Sequence, residues 1–372
     1  MLRAYKYCIL PTDEQKEQLA KFFGCCRFVY NLGLECKISA WTSAKKNLTC
    51  FDLANQMKDL KDNEAGWLSE CPAQSLQMSL RNLDNAYTQF FKGGGFPKFK
   101  NKYSKQSIQF PQQVWVDFEK NIIKIPKLKN VTCIYDRKFE GDIKTVTLSK
   151  TTTGKYFVSI LVDNHSDMPK KKPVKEETTV GIDLGIKTFA TLSDGTEYAN
   201  LKLLRKGKKN LRRQQRSLAR KQKGSKRREK QRLVVAKVHE KIRNQRTDYL
   251  HKISTEIVKN NDTICMEDLN ISGMMKNEKL SLAIAELGWY TFKTFISYKC
   301  DWYGKNLITI GRFDASSKIC SNCGNIFKEL KLSDRFWTCE KCKTEHDRDK
   351  NAAQNIKSFG LRGKPSNVNV SQ

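Results

Sequence analysis

The chain has 372 residues, with 69 Lys and Arg against 39 Asp and Glu, a net charge of +30. The length allows two or three domains, and the positive excess goes far beyond what solubility needs, so a polyanion, nucleic acid first, is the natural partner. No apolar run reaches transmembrane length, and the start MLRAYKYCILPTDEQ lacks the apolar core and cleavage site of a signal peptide. The expected location is therefore the cytoplasm, on nucleic acid. An anionic membrane surface is the competing polyanion. It is disfavoured because no basic amphipathic helix carries an evident exposed Trp/Phe/Leu face. Thirteen cysteines, an odd count in a long unsignalled chain, suit free thiols in a reducing compartment better than disulfides.

In chain order, residues 2–10 (LRAYKYCIL) predict a β-strand running into Pro11. Thr12 followed by Gln15 forms a capping-box pattern, and Leu19, Phe22, Phe23, Cys26, Val29, Tyr30 and Gly33 continue at helical spacing. Further helices are predicted near 51–61 and 73–92, the last with the apolar stripe Leu76, Leu80, Leu83, Tyr87, Phe90 and Phe91. Gly93-Gly94-Gly95 ends it. The segment Phe96–Lys102 then interleaves aromatic residues with Lys98, Lys100 and Lys102, a mixture that suits a nucleic-acid backbone with stacked bases and equally a solvated loop. From Ser107 to Val162 the pattern is β, as in Ile122–Ile125, Thr145–Leu148 and Tyr156–Val162, which predicts a small barrel or curled sheet that the first strand joins. Residues 164–178, rich in Lys and Pro, mark the domain boundary.

Thr178–Gly195 (TTVGIDLGIKTFATLSDG) predicts two short strands around a Gly-bearing bend. Asp183 lies inside this apolar run. An ionised carboxylate there needs its desolvation offset, by a metal ion or by hydrogen bonds to a turn. Residues 202–246 carry twenty Lys and Arg against Glu229 and Glu240, so +18 of the total charge sits in this stretch. Sparse apolar marks fit two basic helices broken near Gly224-Ser225. So one-signed a block favours phosphate as its counter-charge. Arg205, Lys208, Lys209, Arg212, Arg213, Arg216, Arg220, Lys226, Arg227 and Arg228 are its candidate contacts. A separate helix through Leu250, Ile253, Ile257 and Val258 leads to the strand Thr263–Met266, which ends in Glu267-Asp268. A helix over 282–303 and a strand at Leu307–Ile310 follow.

Cys320-Ser-Asn-Cys323 and Cys339-Glu-Lys-Cys342 are two CxxC knuckles with fifteen residues between them. Two such pairs offer four thiolates to one tetrahedral zinc ion, a closed structural site with His346 nearby but not needed as a ligand. Beyond them, Asp347 and Asp349 open a helix marked by Ala352, Ala353 and Ile356. One of the two is expected to cap that helix. Asp183, Glu267 and one of these two make a set of three carboxylates, whose mutual repulsion divalent metal ions relieve. Mg²⁺, as two ions with Mn²⁺ as a substitute, would equip such a set for phosphodiester hydrolysis. Strand, helices, strand, helix with acids in this order is an RNase H-like arrangement.

Together GIDLGIKTFATLSDG, CMEDLNISGM, CSNCG…CEKC and DRDKNAAQNI resemble the TnpB family of transposon-encoded proteins, and RAYKYCILPTDEQ…FFGCCRFVYN resembles that family's start. The resemblance spans essentially the whole chain. It implies RNA-guided cleavage of double-stranded DNA by a RuvC-like domain, with a guide RNA from the transposon end and a short motif flanking the target. It implies an α+β multidomain fold: a wedge-like β-barrel at 1–10 and 93–165, a helical recognition lobe at 11–92, a linker at 166–178 and a RuvC-like domain at 179–372 with a zinc ribbon at about 315–345. By position, the triad falls on Asp183, Glu267 and Asp349, leaving Asp347 as a structural neighbour, and the zinc ligands on Cys320, Cys323, Cys339 and Cys342. Gln74 and Gln77 are candidates for reading the flanking motif, since Gln can pair with adenine edges; ordinary helix-surface glutamines would look the same. Lys343, where a Gly is expected, and Ala315, where a Pro is common, depart from the pattern. A monomer is favoured. The competing functions are a strand-transferring transposase, a non-cleaving RNA-guided repressor and a DNA-junction resolvase.

Overall fold

The computed structural model describes residues 1–311, 316–327, 329–331 and 334–363, without the side chains of residues 204, 206 and 279. Ala315, the first residue of the expected ribbon, residues 328, 332 and 333 within it and the last nine residues of the expected nuclease domain lie outside them. The chain divides into two compact units, Met1–Asp167 and Met168–Gln372. The division falls inside the Lys- and Pro-rich segment that the sequence marks as a boundary.

In the first unit β1 (Leu2–Leu10) is followed by α1 (Asp13–Ala44), α2 (Cys50–Asn63) and α3 (Ala73–Phe91). The capping box forms as expected: the Thr12 side chain accepts from the Gln15 amide, and the Gln15 side chain accepts from the Thr12 amide. α3 stops before Gly93, whose φ of +91° a residue with a Cβ resists. Six strands follow: β2 (Gln106–Phe110), β3 (Trp115–Asp117), β4 (Ile122–Ile125), β5 (Lys129–Ile134), β6 (Asp142–Lys150) and β7 (Tyr156–Asp163). They form a seven-stranded antiparallel sheet in the order β2-β6-β7-β1-β5-β4-β3. β1 therefore sits in the middle of the sheet, as its apolar alternation requires. One core serves helices and sheet, with Phe22, Leu34, Leu80 and Leu83 joining Tyr7, Ile123, Val146 and Ile160.

The second unit is built on a mixed five-stranded sheet, β10-β9-β8-β11-β12. Its strands are β8 (Thr179–Leu184), β9 (Thr188–Leu192), β10 (Glu197–Ala199), β11 (Thr263–Glu267) and β12 (Asn306–Ile310). β11 pairs parallel with both β8 and β12, while β9 runs antiparallel to β8. Between β10 and β11 lie α4 (Leu203–Ala219) and α5 (Lys226–Asn260); between β11 and β12 lie α6 (Ile271–Met274), α7 (Glu278–Leu287) and α8 (Trp289–Trp302). A hairpin of β13 (Phe336–Thr338) and β14 (Glu345–Asp347) precedes α9 (Arg348–Arg362).

Two sequence expectations are corrected. The second basic helix and the helix through Leu250 are a single helix of 35 residues, because no Gly or Pro interrupts 226–260. Its first half projects charge, and its second half buries Leu250, Ile253, Ile257 and Val258. Conversely, the helix expected over 282–303 is two helices broken at Gly288, whose φ of +71° ends one helix and starts the next.

Side-chain alternation assigns the two faces of the five-stranded sheet. Val180, Ile182, Ile264 and Met266 pack with Ile257, Phe292 and Ile296 of α5 and α8. Cys265, Ile308 and Ile310 face the other way, against Ile356 and Phe359 of α9. α9 lies close: a Cβ added at Gly181 would meet the Ala353 carbonyl oxygen at 2.1 Å, and one at Gly360 would meet Cys265 Sγ at 2.2 Å.

Gly181→Ala is therefore expected to force α9 off β8 and to destabilise the second unit by about 1–3 kcal/mol, the usual range for overpacking. Urea unfolding checks this; an unchanged midpoint would mean the contact is not as tight as described. A second outcome concerns Lys299, buried with its ammonium donating to the His251 carbonyl (2.8 Å), Ser254 Oγ (2.7 Å) and Thr255 Oγ1 (2.7 Å). Burial lowers its pKa to about 8. Between about pH 8 and 10.5 the unfolded chain holds a proton that the folded one has lost, so this group's contribution to stability rises with pH. The stability of wild type minus that of Lys299→Met should grow across that window by on the order of 1–3 kcal/mol. A flat difference in denaturation titrations would refute it.

Candidate functional site

Alternation places the carboxylates before any chemistry is invoked. Gly181 and Cys265 face α9, so Asp183 and Glu267, each two residues on, face α9 as well. The β8–β11 ladder ends with Met266 opposite Ile182, and Asp183 and Glu267 are the next residues on these neighbouring parallel strands. The third acid comes from the helix. Asp347 is the N-cap of α9, its carboxylate accepting from the amides of Asp349 and Lys350. That cap leaves the Asp349 side chain, in the first turn, available to the strand ends. The sequence expected one of the two aspartates to cap the helix, and that one is Asp347.

The three acids feel one another. Burial, then the charges of Glu267 and Asp349, push the Asp183 carboxyl up to about 8, while Arg348 and Arg335 pull it down. Glu267 Oε1 accepts from Ser316 Oγ at 2.5 Å. Asp349 is paired with Arg335, whose Nη1 lies 3.1 Å from Oδ1 and 3.3 Å from Oδ2. Burial first, and the two neighbouring carboxylates with it, disfavour a charged Asp183, so this donor set favours a cation. Oxygen ligands on two strands and a helix are the donors a hard divalent ion takes.

The sequence did not single out Ser316 or Arg335. Neither lies on a periodic element, so only the fold brings them to the acids. A usable signal was the pair Asn351 and Asn355, four apart on α9 and both buried. Their side chains donate to the carbonyls of Ile319 and Ser316, and the Asn351 carbonyl accepts from the Ser321 amide. They fasten the Cys-bearing segment onto α9.

The four cysteines converge. Cys320, Cys323, Cys339 and Cys342 place their sulfurs within 4.8 Å of one another, an arrangement that can hold a metal ion. Among the described residues, Asp183, Glu267 and Asp349 do not close to that distance. Each knuckle turns as expected, with the amides of Gly324 and Lys343 donating to the carbonyls of Cys320 and Cys339. Gly324 and Lys343 both have positive φ, +74° and +58°. A Lys at that place strains the backbone where a Gly would not, which explains why the sequence pattern expects Gly there. His346 Nε2 lies 3.0 Å from Cys320 Sγ, beside the sulfurs, and stacks obliquely on Trp337.

The basic candidates distribute unevenly. Arg205, Lys208, Lys209, Arg212, Arg213, Arg216 and Arg220 line or flank a groove of about 1300 Å³ along α4. Lys226 and Arg227 are exposed at the start of α5. Arg228 is engaged elsewhere: its Nη1 donates to the carbonyls of Leu218 and Lys221 and clasps the α4–α5 turn. In the first unit Lys98 is exposed, Lys100 lies 3.6 Å from the Tyr30 ring centroid and Lys102 lies 5.3 Å from that of Tyr103. Gln74 donates to Gln112 Oε1 at 2.8 Å, and Gln77 is exposed.

Comparison with known proteins fits this plan. Residues 158–278 match a family model described as "Probable transposase" (OrfB_IS605), residues 289–356 one described as "Cas12f1-like, TNB domain", and residues 1–46 one described as "Helix-turn-helix domain". The last span is, in this structure, one strand and one continuous helix. A Streptomyces pristinaespiralis protein, "Putative RNA-guided DNA endonuclease", is 37% identical over 96% of this chain and 89% of its own length. The chain belongs to the TnpB family. Another relative, "Putative RNA-guided DNA endonuclease InsQ" of Escherichia coli K12, is 33% identical over 96% of this chain and 92% of its own. Among solved structures, "Cryo-EM structure of the Cas12f1-sgRNA-target DNA complex" superposes with a TM-score of 0.56 at 16% identity, covering 93% of this chain and 83% of that one. That likeness shows a shared fold, so this TnpB-family chain has a Cas12f-like α+β architecture.

Two outcomes test the site's construction. Cys342→Ser should abolish retention of one equivalent of metal, read by elemental analysis of the purified protein, and lower the melting temperature; undiminished metal would remove the four cysteines from the role. Asp347→Ala should cost about 1 kcal/mol, as loss of a helix cap does, in a denaturant titration.

Proposed function

We propose that this protein is an RNA-guided DNA endonuclease of a mobile element. Its guide RNA, drawn from the transposon end, pairs with the target strand beside a short flanking motif, and a RuvC-like site hydrolyses phosphodiesters. What supports the catalytic part is that Asp183 and Glu267 stand on adjacent parallel strands, on the sheet face that α9 covers, while Asp349 is in the first turn of that helix. The two relatives described as "Putative RNA-guided DNA endonuclease", matched over 89% and 92% of their own lengths, support the guided part.

In this reading the second unit is an RNase H-like domain with an inserted zinc ribbon, and the first unit combines a wedge-like barrel with a helical recognition lobe. Cys320, Cys323, Cys339 and Cys342 hold one structural Zn²⁺. Asp183, Glu267 and Asp349 hold Mg²⁺, two ions with Mn²⁺ as a substitute. When bound, these supply an activated water and stabilise the leaving oxygen. The chain's own groups do the positioning. Ser316 orients Glu267, the Asp347 cap fixes the turn that carries Asp349, and Arg335 balances the charge of Asp349 until a phosphate competes for it. Exposed Lys and Arg of α4 and the start of α5 contact phosphates, so binding weakens steeply with salt. Base pairing supplies sequence reading, while the protein reads the flanking motif; Gln77 remains the freer of the two glutamine candidates.

The test is cleavage of a plasmid library with randomised flanks by protein co-expressed with transposon-end RNA, in Mg²⁺. Wild type should cut guide-matched targets beside one short motif. Asp183→Ala, Glu267→Ala and Asp349→Ala should fall below detection, while Asp347→Ala keeps cutting. Strand-transfer products would instead establish the transposase reading suggested by the family model's description. RNA that co-purifies without any cleavage would leave a guided binder and overturn the triad.

A further inference from the structure

A cavity of about 660 Å³ opens in the first unit between the C-terminal part of α1 and that of α3. Its wall is aromatic: Trp41 from α1, and Tyr87, Phe91 and Phe96 from α3 and the loop after it. The last three belong to one ring cluster, Tyr87–Phe96 at 5.7 Å and Tyr87–Phe91 at 6.5 Å between centroids. The rings are not hidden. Trp41 is 56% exposed, Phe91 78% and Phe96 46%, a costly surface to leave in water.

The floor is polar. Lys37, 8% exposed, makes an ion pair of 2.8 Å with Asp84 Oδ1, donates to the Leu48 carbonyl, and lies 5.3 Å from the Tyr87 ring centroid. Asp84 Oδ2 accepts from the Cys50 amide at 2.9 Å. Lys37 thus has its charge answered within the fold, while the half-buried Asp84 carboxylate, which the Cys50 thiol also contacts, has acceptor capacity beyond these three partners. Two exposed lysines mark the mouth: Lys46 lines it, and Lys45 lies 5.7 Å from the Trp41 ring centroid.

An aromatic-walled cavity, a carboxylate acceptor at its base and ammonium groups at its mouth match one kind of occupant in a chain of net charge +30. We propose that this cavity receives a single unpaired nucleobase bearing an exocyclic amino group, stacked on Trp41 or Phe91, its amino group donating to Asp84 and its phosphate beside Lys45 and Lys46. Every base has a stacking face, but adenine, cytosine and guanine carry an amino donor and uracil does not. The carboxylate therefore selects against uracil, as carboxylates select for amino-bearing edges elsewhere. The inference rests on the nucleic-acid-binding part of the proposed function and not on hydrolysis at Asp183.

The probe is a short oligouridylate with one internal 2-aminopurine, an amino-bearing base whose fluorescence stacking quenches, beside oligo(rA), oligo(rU) and the oligo(dA) equivalent. Full-length wild type, Trp41→Ala, Phe91→Ala and Asp84→Asn are compared in salt high enough to screen phosphate contacts. Trp41→Ala and Phe91→Ala alter exposed side chains and should fold normally. One or both should relieve the quenching and weaken oligo(rA) binding about tenfold, the scale of one lost stack. Asp84→Asn should narrow the preference for oligo(rA) over oligo(rU), its melting curve serving as the fold control. Equal losses with oligo(rA) and oligo(dA) support a base-reading pocket open to either strand; a loss with RNA alone supports guide RNA as the source. Unchanged quenching and affinity in both aromatic variants would overturn the pocket while leaving nucleic-acid binding intact. No binding by wild type would overturn it together with the guided reading. A change of sedimentation in Phe91→Ala with no change in oligonucleotide binding would reassign the surface to a second copy of the chain.

Discussion

Everything at the acidic site depends on how closely α9 can approach the sheet. A helix usually packs on strands through side chains on both partners. Here two glycines remove the side chain on one partner at each contact, Gly181 beneath the α9 backbone and Gly360 against Cys265. The gain is positional. A first-turn carboxylate of the helix is brought to two strand-borne carboxylates without a long loop to carry it. The electrostatic consequence is that Asp183 is held well above the ordinary carboxylate range, a strain on the fold that a bound cation would convert into affinity.

The same helix also anchors the cysteine cluster. Asn351 and Asn355 are buried one turn apart and hold the backbone around Ile319, just before Cys320. Arg335, between the two knuckles, reaches back to Asp349. The thiol cluster and the acids are therefore mechanically continuous. A metal ion at the cysteines would fix the loop that carries Arg335, although it has no open position for chemistry of its own.

Charge is segregated within the second unit. The α4–α5 hairpin carries the dense positive block, held together by Arg228 on the carbonyls of the turn and by Ser225 capping α5. The long α5 makes this possible, because its distal half belongs to the hydrophobic core and the proximal half can project lysines and arginines that repel one another. In the first unit the exposed chemistry is of a different kind, aromatic rings interleaved with lysines, suited to bases more than to phosphates alone.

The candidate site residues were legible in the sequence because each broke a local pattern: Asp183 a charge in an apolar strand, Glu267 an acid at a strand end, the cysteines a doubled spacing. The Thr12 cap, the central β1 and the break near Gly224 were legible for the same reason, being written in a few consecutive residues. Helix continuity was harder. Sparse leucines over 226–260 imitate separate helices, and a single Gly288 inside a convincing apolar period hides a break, because periodicity records which face is buried and not whether the axis continues. What only the tertiary structure decided are the relations between distant residues: the sharing of Asp347 and Asp349 between cap and site, the Ser316–Glu267 and Arg335–Asp349 contacts, the removal of Arg228 from the exposed set, and the cavity between α1 and α3. A sequence fixes residue type and local spacing, but which side chains meet depends on close packing between elements far apart in the chain, and that is set only when the sheet and its covering helix come together.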